Sequence, residues 1–303
     1  MVADEAALDF LARHGFNFVR LATDYRFWTR DFDYLHPDEA VWEHIDGYLE
    51  ACLQRSIHFS LNMHRVPGYC INRPEIERHN LWTDIEAQDG LAFQWRALAR
   101  HFKGVPASDL SFDLINEPPG DGELGMTREI HESIIRRVTE AIRSVDPERP
   151  IIIDGLGSGH FAVPELADLG VIQSGRGYQP MPVSHYGAGW WSGWNGHAPL
   201  YPGGDWMGHG WDKAALDEFY RPWRGMGTSV HIGEFGCFNR TPNDVALRWL
   251  GDLVSLWREY GWGWALWNFA GPFGIVDHGR ADAEFEVLDG FRVDRQLLEL
   301  VKP

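Results

Sequence analysis

The 303-residue sequence predicts an α/β fold, a (β/α)8 TIM-type barrel that forms a single domain over residues 1–303. Three observations predict this fold. Short apolar runs alternate with segments of helical periodicity along the whole chain. Several of the runs are apolar almost throughout, which is typical of parallel strands that helices cover on both faces. No repeat, low-complexity tract or Pro/Ser-rich linker divides the chain.

Helices are predicted where apolar residues recur at intervals of three and four positions. In the first of them, Ala7, Leu8 and Leu11 share a face, and Gly15 is a suitable residue to follow the helix end. The predicted helices cover residues 4–14, 38–54, 85–102, 127–145, 213–223, 243–260 and 292–301.

Strands are predicted at seven apolar runs, whereas a closed barrel of this type has eight strands. Residues 1–3, before the first helix, are too few for a buried strand of about five residues. We therefore expect a barrel without its first strand, whose two unpaired edges are candidates for self-association into a homo-oligomer. The predicted strands cover residues 16–21, 57–63, 110–116, 150–155, 181–186, 229–234 and 263–269.

Two carboxylates stand at the ends of predicted strands. Glu234 ends one apolar run between Gly233 and Gly236, and Glu117 ends another just before Pro118. The glycines carry no side chain, so a bulky group can approach Glu234 closely. Because the active site of such a barrel lies at the C-terminal ends of its strands, two acids there indicate paired-carboxylate chemistry.

The 15 tryptophans are a second distinctive feature of the composition. A glycine-rich stretch after Tyr186 is predicted to be a long aromatic loop, in which Trp190, Trp191 and Trp194 are candidate substrate-binding residues. Flat indole faces suit the C–H faces of sugar rings, and the indole N–H can bond a hydroxyl. The alternative is that the rings pack under the loop and hold it compact. Two further tryptophans of this loop are Trp206 and Trp211.

The formal net charge of −17 argues against nucleic-acid partners, which need clustered Lys and Arg. No apolar run approaches the roughly 20 residues that a membrane-spanning helix needs, so no membrane partner is expected. Residues 1–7 lack the basic and apolar regions of a signal peptide. The location stays open: secreted or periplasmic if further residues precede this sequence, and cytoplasmic otherwise.

No cofactor or metal is expected from the motifs. Cys52, Cys70 and Cys237 lack the spacing of a disulfide framework or a zinc site, and we expect buried thiols. A doubly wound dinucleotide-binding fold is disfavoured, because no GxGxxG sequence follows a strand and the nearest approach, at residues 155–159, has the wrong spacing.

Four motifs in the same order resemble glycoside hydrolase family 5, the cellulase-like retaining hydrolases. They are Gly15-Phe16-Asn17-Phe18-Val19-Arg20-Leu21, Asn116-Glu117-Pro118, Gly233-Glu234-Phe235-Gly236 and Trp264-Ala265-Leu266-Trp267. Each motif is weak alone, but four on the expected elements are specific. The resemblance runs from about residue 8 to the end and includes Phe273-Gly274-Ile275-Val276-Asp277. It implies that the domain is a catalytic barrel.

The resemblance also implies roles for individual residues. It makes Glu117 the acid/base, Glu234 the nucleophile and Arg20 the cation that holds Glu234 ionised. Asn116 is expected to bind the hydroxyl next to the anomeric carbon. The catalytic subsite is expected to be lined by His64 and His185, with Trp267 as its floor.

One motif departs from the family pattern, which usually has His-x-Tyr at the sixth strand. In Ser184-His185-Tyr186 the histidine and the tyrosine are adjacent. Neighbouring residues of a strand point to opposite faces, so only one of His185 and Tyr186 is expected to face the substrate.

The implied chemistry is hydrolysis of a β-linked glycosidic bond with retained configuration. One carboxylate attacks the anomeric carbon and a protonated partner donates to the leaving oxygen, which requires carboxyl groups about 5–5.5 Å apart. Repulsion between the acids is expected to raise the pKa of Glu117 and keep it protonated. Once Glu234 is esterified, Glu117 can act as the base toward water.

An endo-β-1,4-glucanase acting on an oligo- or polysaccharide is the leading interpretation. A β-mannanase or an exo-acting glycosidase remains open, because loops rather than the catalytic strands set specificity. Two alternatives belong to other classes. A metal-dependent barrel hydrolase could use the two histidines and two glutamates as ligands, although HxH and HExxH spacings are absent. A carbohydrate-binding protein without turnover would not need both acids.

Overall fold

The computed structural model describes residues 3–193 and 196–303. Contacts between Cα atoms divide the chain into two compact units, of which the first ends at Gly175 and the second begins at Arg176 and ends at Pro303. No helix of the described residues is long and apolar enough to cross a membrane.

The first unit alternates parallel strands with helices. Each strand pairs in parallel with the next strand along the chain. The strands are β1 (Phe18–Asp24), β2 (His58–Arg65), β3 (Leu110–Asp113), β4 (Ile151–Asp154) and β5 (Ile172–Gly177). The helices are α1 (Glu5–Arg13), α2 (Glu43–Leu53), α3 (Ile85–His101) and α4 (Arg128–Arg143), with a short turn at Leu156–Gly159.

Local sequence explains where these helices begin and which face they bury. The Asp4 carboxylate accepts a hydrogen bond from the backbone N–H of Ala7 at 3.1 Å and so caps α1. Thr127 caps α4 in the same way through Ile130. The apolar face of α4 packs into the core and includes Ile134, Ile135, Val138 and Ile142.

The second unit begins with the last two residues of β5 and contains two more strands of the main sheet, β8 (Val230–Phe235) and β9 (Gly263–Leu266). The order of strands in the main sheet is β1-β2-β3-β4-β5-β8-β9. Among the residues that the structure describes, this sheet has seven strands, which is the predicted number. The remaining strands form two antiparallel hairpins, β6 (Gly204–Trp206) with β7 (His209–Trp211) and β10 (Phe285–Leu288) with β11 (Phe291–Asp294). The helices are α5 (Lys213–Arg224), α6 (Asn243–Tyr260) and α7 (Arg295–Val301).

The predicted strand at residues 181–186 is wrong. Met181–Ser184 is a single helical turn, and the fifth strand of the sheet is instead Ile172–Gly177. Pro180 and Pro182 flank Met181, and neither has the N–H that a strand inside a sheet must donate. The argument that His185 and Tyr186 point to opposite faces of a strand therefore does not apply.

Two hairpins were missed. In the first, β6 and β7 lie inside the stretch predicted to be an irregular aromatic loop. In the second, β11 occupies the beginning of the predicted last helix, which starts only at Arg295. A recognisable signal was present there, since Asp289 and Gly290 both have positive φ and Asp-Gly is a preferred two-residue hairpin turn.

Candidate active site

Arg20 connects three side chains behind the Asn-Glu motif in the first unit. Its Nε donates to Oδ2 of Asp113 at 2.5 Å, and its Nη2 donates to Oδ1 of Asn116 at 2.8 Å. The same Nη2 lies 3.8 Å from Oδ2 of Asp154. Because Asp113 and Asp154 are buried, the guanidinium compensates charge that would otherwise be costly there.

His64 completes the hydrogen bonding of the Asn116 amide. The Nδ2 of Asn116 lies 3.3 Å from Nε2 of His64, and Nδ1 of His64 lies 3.2 Å from Oδ1 of Asn62. With the Asn116 oxygen bonded to Arg20, its amide nitrogen must donate, so Nε2 of His64 accepts and Nδ1 carries the proton. The predicted residues Arg20, His64 and Asn116 are thus brought together.

Glu117 follows Asn116 with a positive φ of 49° and a half-buried side chain. Its backbone N–H donates to Oδ2 of Asp154 at 2.9 Å, and its carbonyl accepts from the hydroxyl of Tyr69 at 2.6 Å. The residues on either side of it, Asn116 and Pro118, are buried, so the acid is the accessible residue of the motif.

Glu234 lies near the end of β8 in the second unit and is 5% exposed. The Tyr178 hydroxyl donates to Oε2 of Glu234 at 3.1 Å, and Nη2 of Arg176 lies 3.5 Å from Oε1. Both carboxylate oxygens therefore face donors, one of which is a fully buried guanidinium. Such donors favour the ionised carboxylate, as a nucleophile requires.

Strand alternation explains why these three side chains meet. The residue between Arg176 and Tyr178 is Gly177, where an added Cβ would lie 2.6 Å from both Phe235 Cβ and the Trp257 ring. Gly177 and Phe235 thus face α6, the helix that carries Trp257. Because side chains alternate along a strand, Arg176, Tyr178 and Glu234 point to the opposite face. Only glycine fits between β5 and that helix.

Sequence reasoning missed Arg176, Tyr178, Asp113, Asp154 and Tyr69. For Arg176 and Tyr178 a signal existed, because Arg176-Gly177-Tyr178 has the spacing of the family's His-x-Tyr motif, with arginine in place of histidine. The adjacent His-Tyr pair further along the chain concealed it.

His185 lies in an aromatic cluster beside Tyr178. Its ring centroid is 5.2 Å from that of Tyr178 and 5.5 Å from that of Phe273. Trp190 packs edge-on against Phe238 at 5.0 Å, and 66% of its surface is exposed. These rings form an apolar surface in the unit that holds Glu234, with Trp190 as its most accessible part.

The other aromatic residues differ in exposure. Trp191 and Tyr186 are half-buried, and the Trp191 ring packs so closely on Gly193 that an added Cβ there would lie 2.4 Å from it. Trp211 is buried, so the packing alternative holds for that ring. Trp194, also predicted to bind substrate, lies outside the described residues.

Trp267 follows β9 and is half-buried. Its backbone N–H donates to the carbonyl of Phe235 at 2.8 Å, next to Glu234 in the chain. An added Cβ at Gly236 would lie 2.4 Å from the Trp267 carbonyl oxygen. Gly236, the last residue of the motif that contains Glu234, therefore makes room for the Trp267 backbone.

Within the described part of the chain, no group of three or more His, Cys, Asp or Glu side chains is arranged to hold a metal ion. Cys52, Cys70 and Cys237 are buried free thiols, and burial raises the pKa of each.

Comparisons with known proteins identify the family of this chain. The family model described as Cellulase (glycosyl hydrolase family 5) matches residues 2–271. Endoglucanase C of Acetivibrio thermocellus is 24% identical over 296 residues, which cover 88% of this chain and 83% of that protein. Endoglucanase 3 of Fibrobacter succinogenes is 22% identical, over 91% of this chain and 47% of that protein.

Solved structures show the same fold. The crystal structure of a glycoside hydrolase has a TM-score of 0.97 and 58% identity, covering 99% of this chain and 92% of that one. Endoglucanase Cel5A of Thermotoga maritima has a TM-score of 0.78 and 22% identity, covering 99% of this chain and 90% of that one. With the family model matching most of its length, the chain belongs to glycosyl hydrolase family 5 and is a glycoside hydrolase with the (β/α)8 barrel fold.

Proposed function

We propose that the chain is an endo-β-1,4-glucanase that hydrolyses its polysaccharide with retained configuration, through Glu234 as nucleophile and Glu117 as acid/base. The observation that carries this proposal is the environment of Glu234, a buried carboxylate whose two oxygens face Tyr178 and Arg176. An anionic, oriented carboxylate suits attack on carbon. The similar proteins named endoglucanases support the choice of substrate.

In the first step, an oxygen of Glu234 forms a bond to the anomeric carbon as the bond from that carbon to the leaving oxygen breaks. Glu117 gives its proton to the leaving oxygen, so the leaving group departs as a neutral alcohol. The product of this step is a glycosyl ester of Glu234 and an ionised Glu117.

In the second step, Glu117 takes a proton from water while the water oxygen attacks the anomeric carbon. The ester bond breaks, Glu234 regains its negative charge, and two inversions give net retention. The positive charge of Arg176 assists this release, because a guanidinium stays protonated throughout.

The remaining predicted residues bind the sugar. Asn116, whose amide is held by Arg20 and His64, is assigned to the hydroxyl next to the anomeric carbon. Half-buried Trp267 and His185 are assigned to the faces of the sugar ring, since aromatic side chains suit its C–H surface.

A direct test measures reducing ends and viscosity with soluble β-1,4-glucan and with β-mannan, since a Thermotoga maritima Cel5A structure of the same fold contains mannotriose. We expect a rapid loss of glucan viscosity with few reducing ends, and NMR of the first product should show the β-anomer. Activity should persist in EDTA. An α-anomer would contradict retention, loss in EDTA would favour a metal-dependent hydrolase, and binding without hydrolysis would indicate a carbohydrate-binding protein.

A further inference from the structure

The backbone of Glu117 is held in the left-handed region by two buried side chains. Its φ is 49°, a backbone conformation that residues other than glycine rarely adopt and that the surrounding structure must maintain. The N–H donates to Asp154 and the carbonyl accepts from Tyr69, at 2.9 Å and 2.6 Å. Both polar groups of this one residue are therefore bonded to side chains rather than to a neighbouring strand.

The next two residues are held as well. The Pro118 carbonyl accepts from the N–H of Ser158 at 2.9 Å, and the Pro119 carbonyl accepts from the N–H of Gly157 at 3.1 Å. Three successive carbonyls after β3 thus each have a donor. Of these donors, only the Tyr69 hydroxyl can be removed by changing one side-chain atom.

Tyr69 is itself rigidly placed. Its backbone exchanges two hydrogen bonds with Val66, at 3.0 and 3.1 Å, across a turn that contains Gly68. Gly68 has a φ of 79°, and an added Cβ would lie 2.6 Å from the backbone nitrogen of Leu81, so the turn cannot relax around a larger residue. Trp82 packs edge-on against the Tyr69 ring at 5.1 Å.

The hydroxyl and the carboxylate are suited to their roles. Burial raises the pKa of Tyr69 well above its usual range, and the nearby Glu117 raises it further, so the phenol remains a donor. Asp154 ends β4, is 1% exposed and has the Arg20 guanidinium 3.8 Å away. It is therefore a fixed acceptor whose buried charge is compensated.

We propose that Tyr69 and Asp154 are positioning residues for the acid/base: by fixing the left-handed backbone of Glu117, they set the direction in which its carboxyl group meets the leaving oxygen. This inference rests on the proposed function of Glu117. Proton transfer requires donor and acceptor within about 2.6–3.2 Å, so a small rotation of the backbone removes the acid from reach of the bond that it protonates.

The test exploits the dependence of acid catalysis on the leaving group. Aryl β-glycosides with a dinitrophenol leaving group do not need protonation, whereas those with a poor leaving group do. We expect Tyr69→Phe to lower kcat roughly tenfold or more with the poor leaving group, a part of the 10²–10⁴ that general acid catalysis contributes. With dinitrophenol as the leaving group, the rate of the glycosylation step should change little.

Tyr25→Phe is the matched control. Tyr25 is also buried and donates its hydroxyl at 2.6 Å, but to Glu77. It should lower thermal stability without changing the ratio of rates between the two substrates. If Tyr69→Phe lowers both rates equally, or neither, the positioning role is refuted.

Asp154 provides a second, independent pair of variants. Asp154→Asn keeps an oxygen that can accept from the Glu117 N–H, so it should retain more of the rate with the poor leaving group than Asp154→Ala. Equal rates for the two variants contradict the inference even if Tyr69→Phe does not fold. If the wild type hydrolyses no glycoside, the proposed function fails. If Glu117→Gln loses activity but the Tyr69 and Asp154 variants behave like the wild type, only the positioning role fails.

Discussion

The fully buried guanidinium of Arg176 lies 3.5 Å from Oε1 of Glu234, on a strand 58 residues earlier in the chain. Two residues further along, Tyr178 bonds the other carboxylate oxygen. One strand end therefore supplies both a permanent charge and a hydroxyl to the proposed nucleophile. Arginine suits this place because it does not lose its proton in proteins, whereas histidine does near neutral pH.

We predict that Arg176→Gln moves the acidic limb of kcat/KM to higher pH, because a carboxylate that loses a neighbouring cation is protonated more easily. The measurement is a pH profile with an aryl glycoside. Arg221→Gln is the control, since Arg221 is exposed and pairs with Glu218 on the surface of α5. An unchanged acidic limb in Arg176→Gln would show that the charge does not act on Glu234.

Replacement of the two acids should separate their roles. Glu117→Gln and Glu234→Gln are each expected to lower kcat on unactivated substrates by on the order of 10³-fold, with unchanged circular dichroism. With an activated aryl glycoside, azide should rescue a Glu117→Ala variant to give a product of retained configuration. It should rescue Glu234→Ala with inversion. The opposite stereochemistry would exchange the two assignments.

Trp190 and Trp211 make a matched pair for the aromatic segment, since they are 66% and 2% exposed. Trp190→Ala should raise KM about tenfold, a loss of about 1.4 kcal/mol, with little change in the melting temperature. Trp211→Ala should lower the free energy of unfolding by about 3 kcal/mol. If Trp190→Ala instead lowers stability with unchanged kinetics, that ring is packing rather than a substrate surface.

Because His131 is buried, we predict that the free energy of unfolding falls in acid. Burial, assisted by Arg128, lowers the pKa of His131 to about 3, whereas the unfolded chain has a value near 6.5. Between these values the unfolded state binds more protons, so the free energy of unfolding falls as the pH falls from about 6.5 to about 3. The full shift corresponds to roughly 5 kcal/mol.

Urea unfolding at several pH values in this range tests that prediction. His131→Leu should flatten the pH dependence, because it removes the group that binds the proton. The substitution breaks no hydrogen bond of the ring, since neither ring nitrogen of His131 has a hydrogen-bond partner among the described residues. His36→Gln is the control, since the side chain of His36 is exposed. Equal slopes for His131→Leu and the wild type would contradict the proposed linkage.

The edge of β1 leads to a prediction about self-association. Of the seven residues of β1, only Thr23 is buried, whereas every residue of β3 and β4 is buried. Exposed strand edges tend to pair with other chains, so we expect concentration-dependent dimers. Sedimentation velocity over a wide range of protein concentration measures this. A single monomeric species throughout would show that the edge is protected.

Local sequence was sufficient for most elements. The predicted helix at residues 243–260 is Asn243–Tyr260 in the structure, because its apolar residues repeat with helical spacing and Gly261 follows with a positive φ. The motif containing Glu117 follows β3, although the strand predicted at residues 110–116 ends at Asp113 in the structure. The family was predicted correctly from four such motifs.

Other features depended on residues far apart in the chain. The sequence placed Arg20 beside Glu234 by resemblance, and that role stays a prediction; the structure shows Arg20 bonded to Asp113 and Asn116, and Arg176 beside Glu234. The Arg176-Gly177-Tyr178 spacing indicates a site residue, but it does not indicate which carboxylate Arg176 contacts. Which tryptophans are exposed was likewise undetermined, because exposure depends on the segments that cover each ring.

The sequence by itself determined the fold class, the family and the two proposed catalytic acids, because periodicity and short motifs are local properties of the chain. Only the tertiary structure showed that Arg176 and Tyr178 contact Glu234, and which side chains hold the backbone of Glu117. The physical reason is that parallel strands are joined through intervening segments rather than tight turns, so neighbours in the sheet are far apart in sequence. Packing contacts such as that of Gly177 against Trp257 set the register of neighbouring strands. The register, together with the alternation of side chains along each strand, decides which side chains meet.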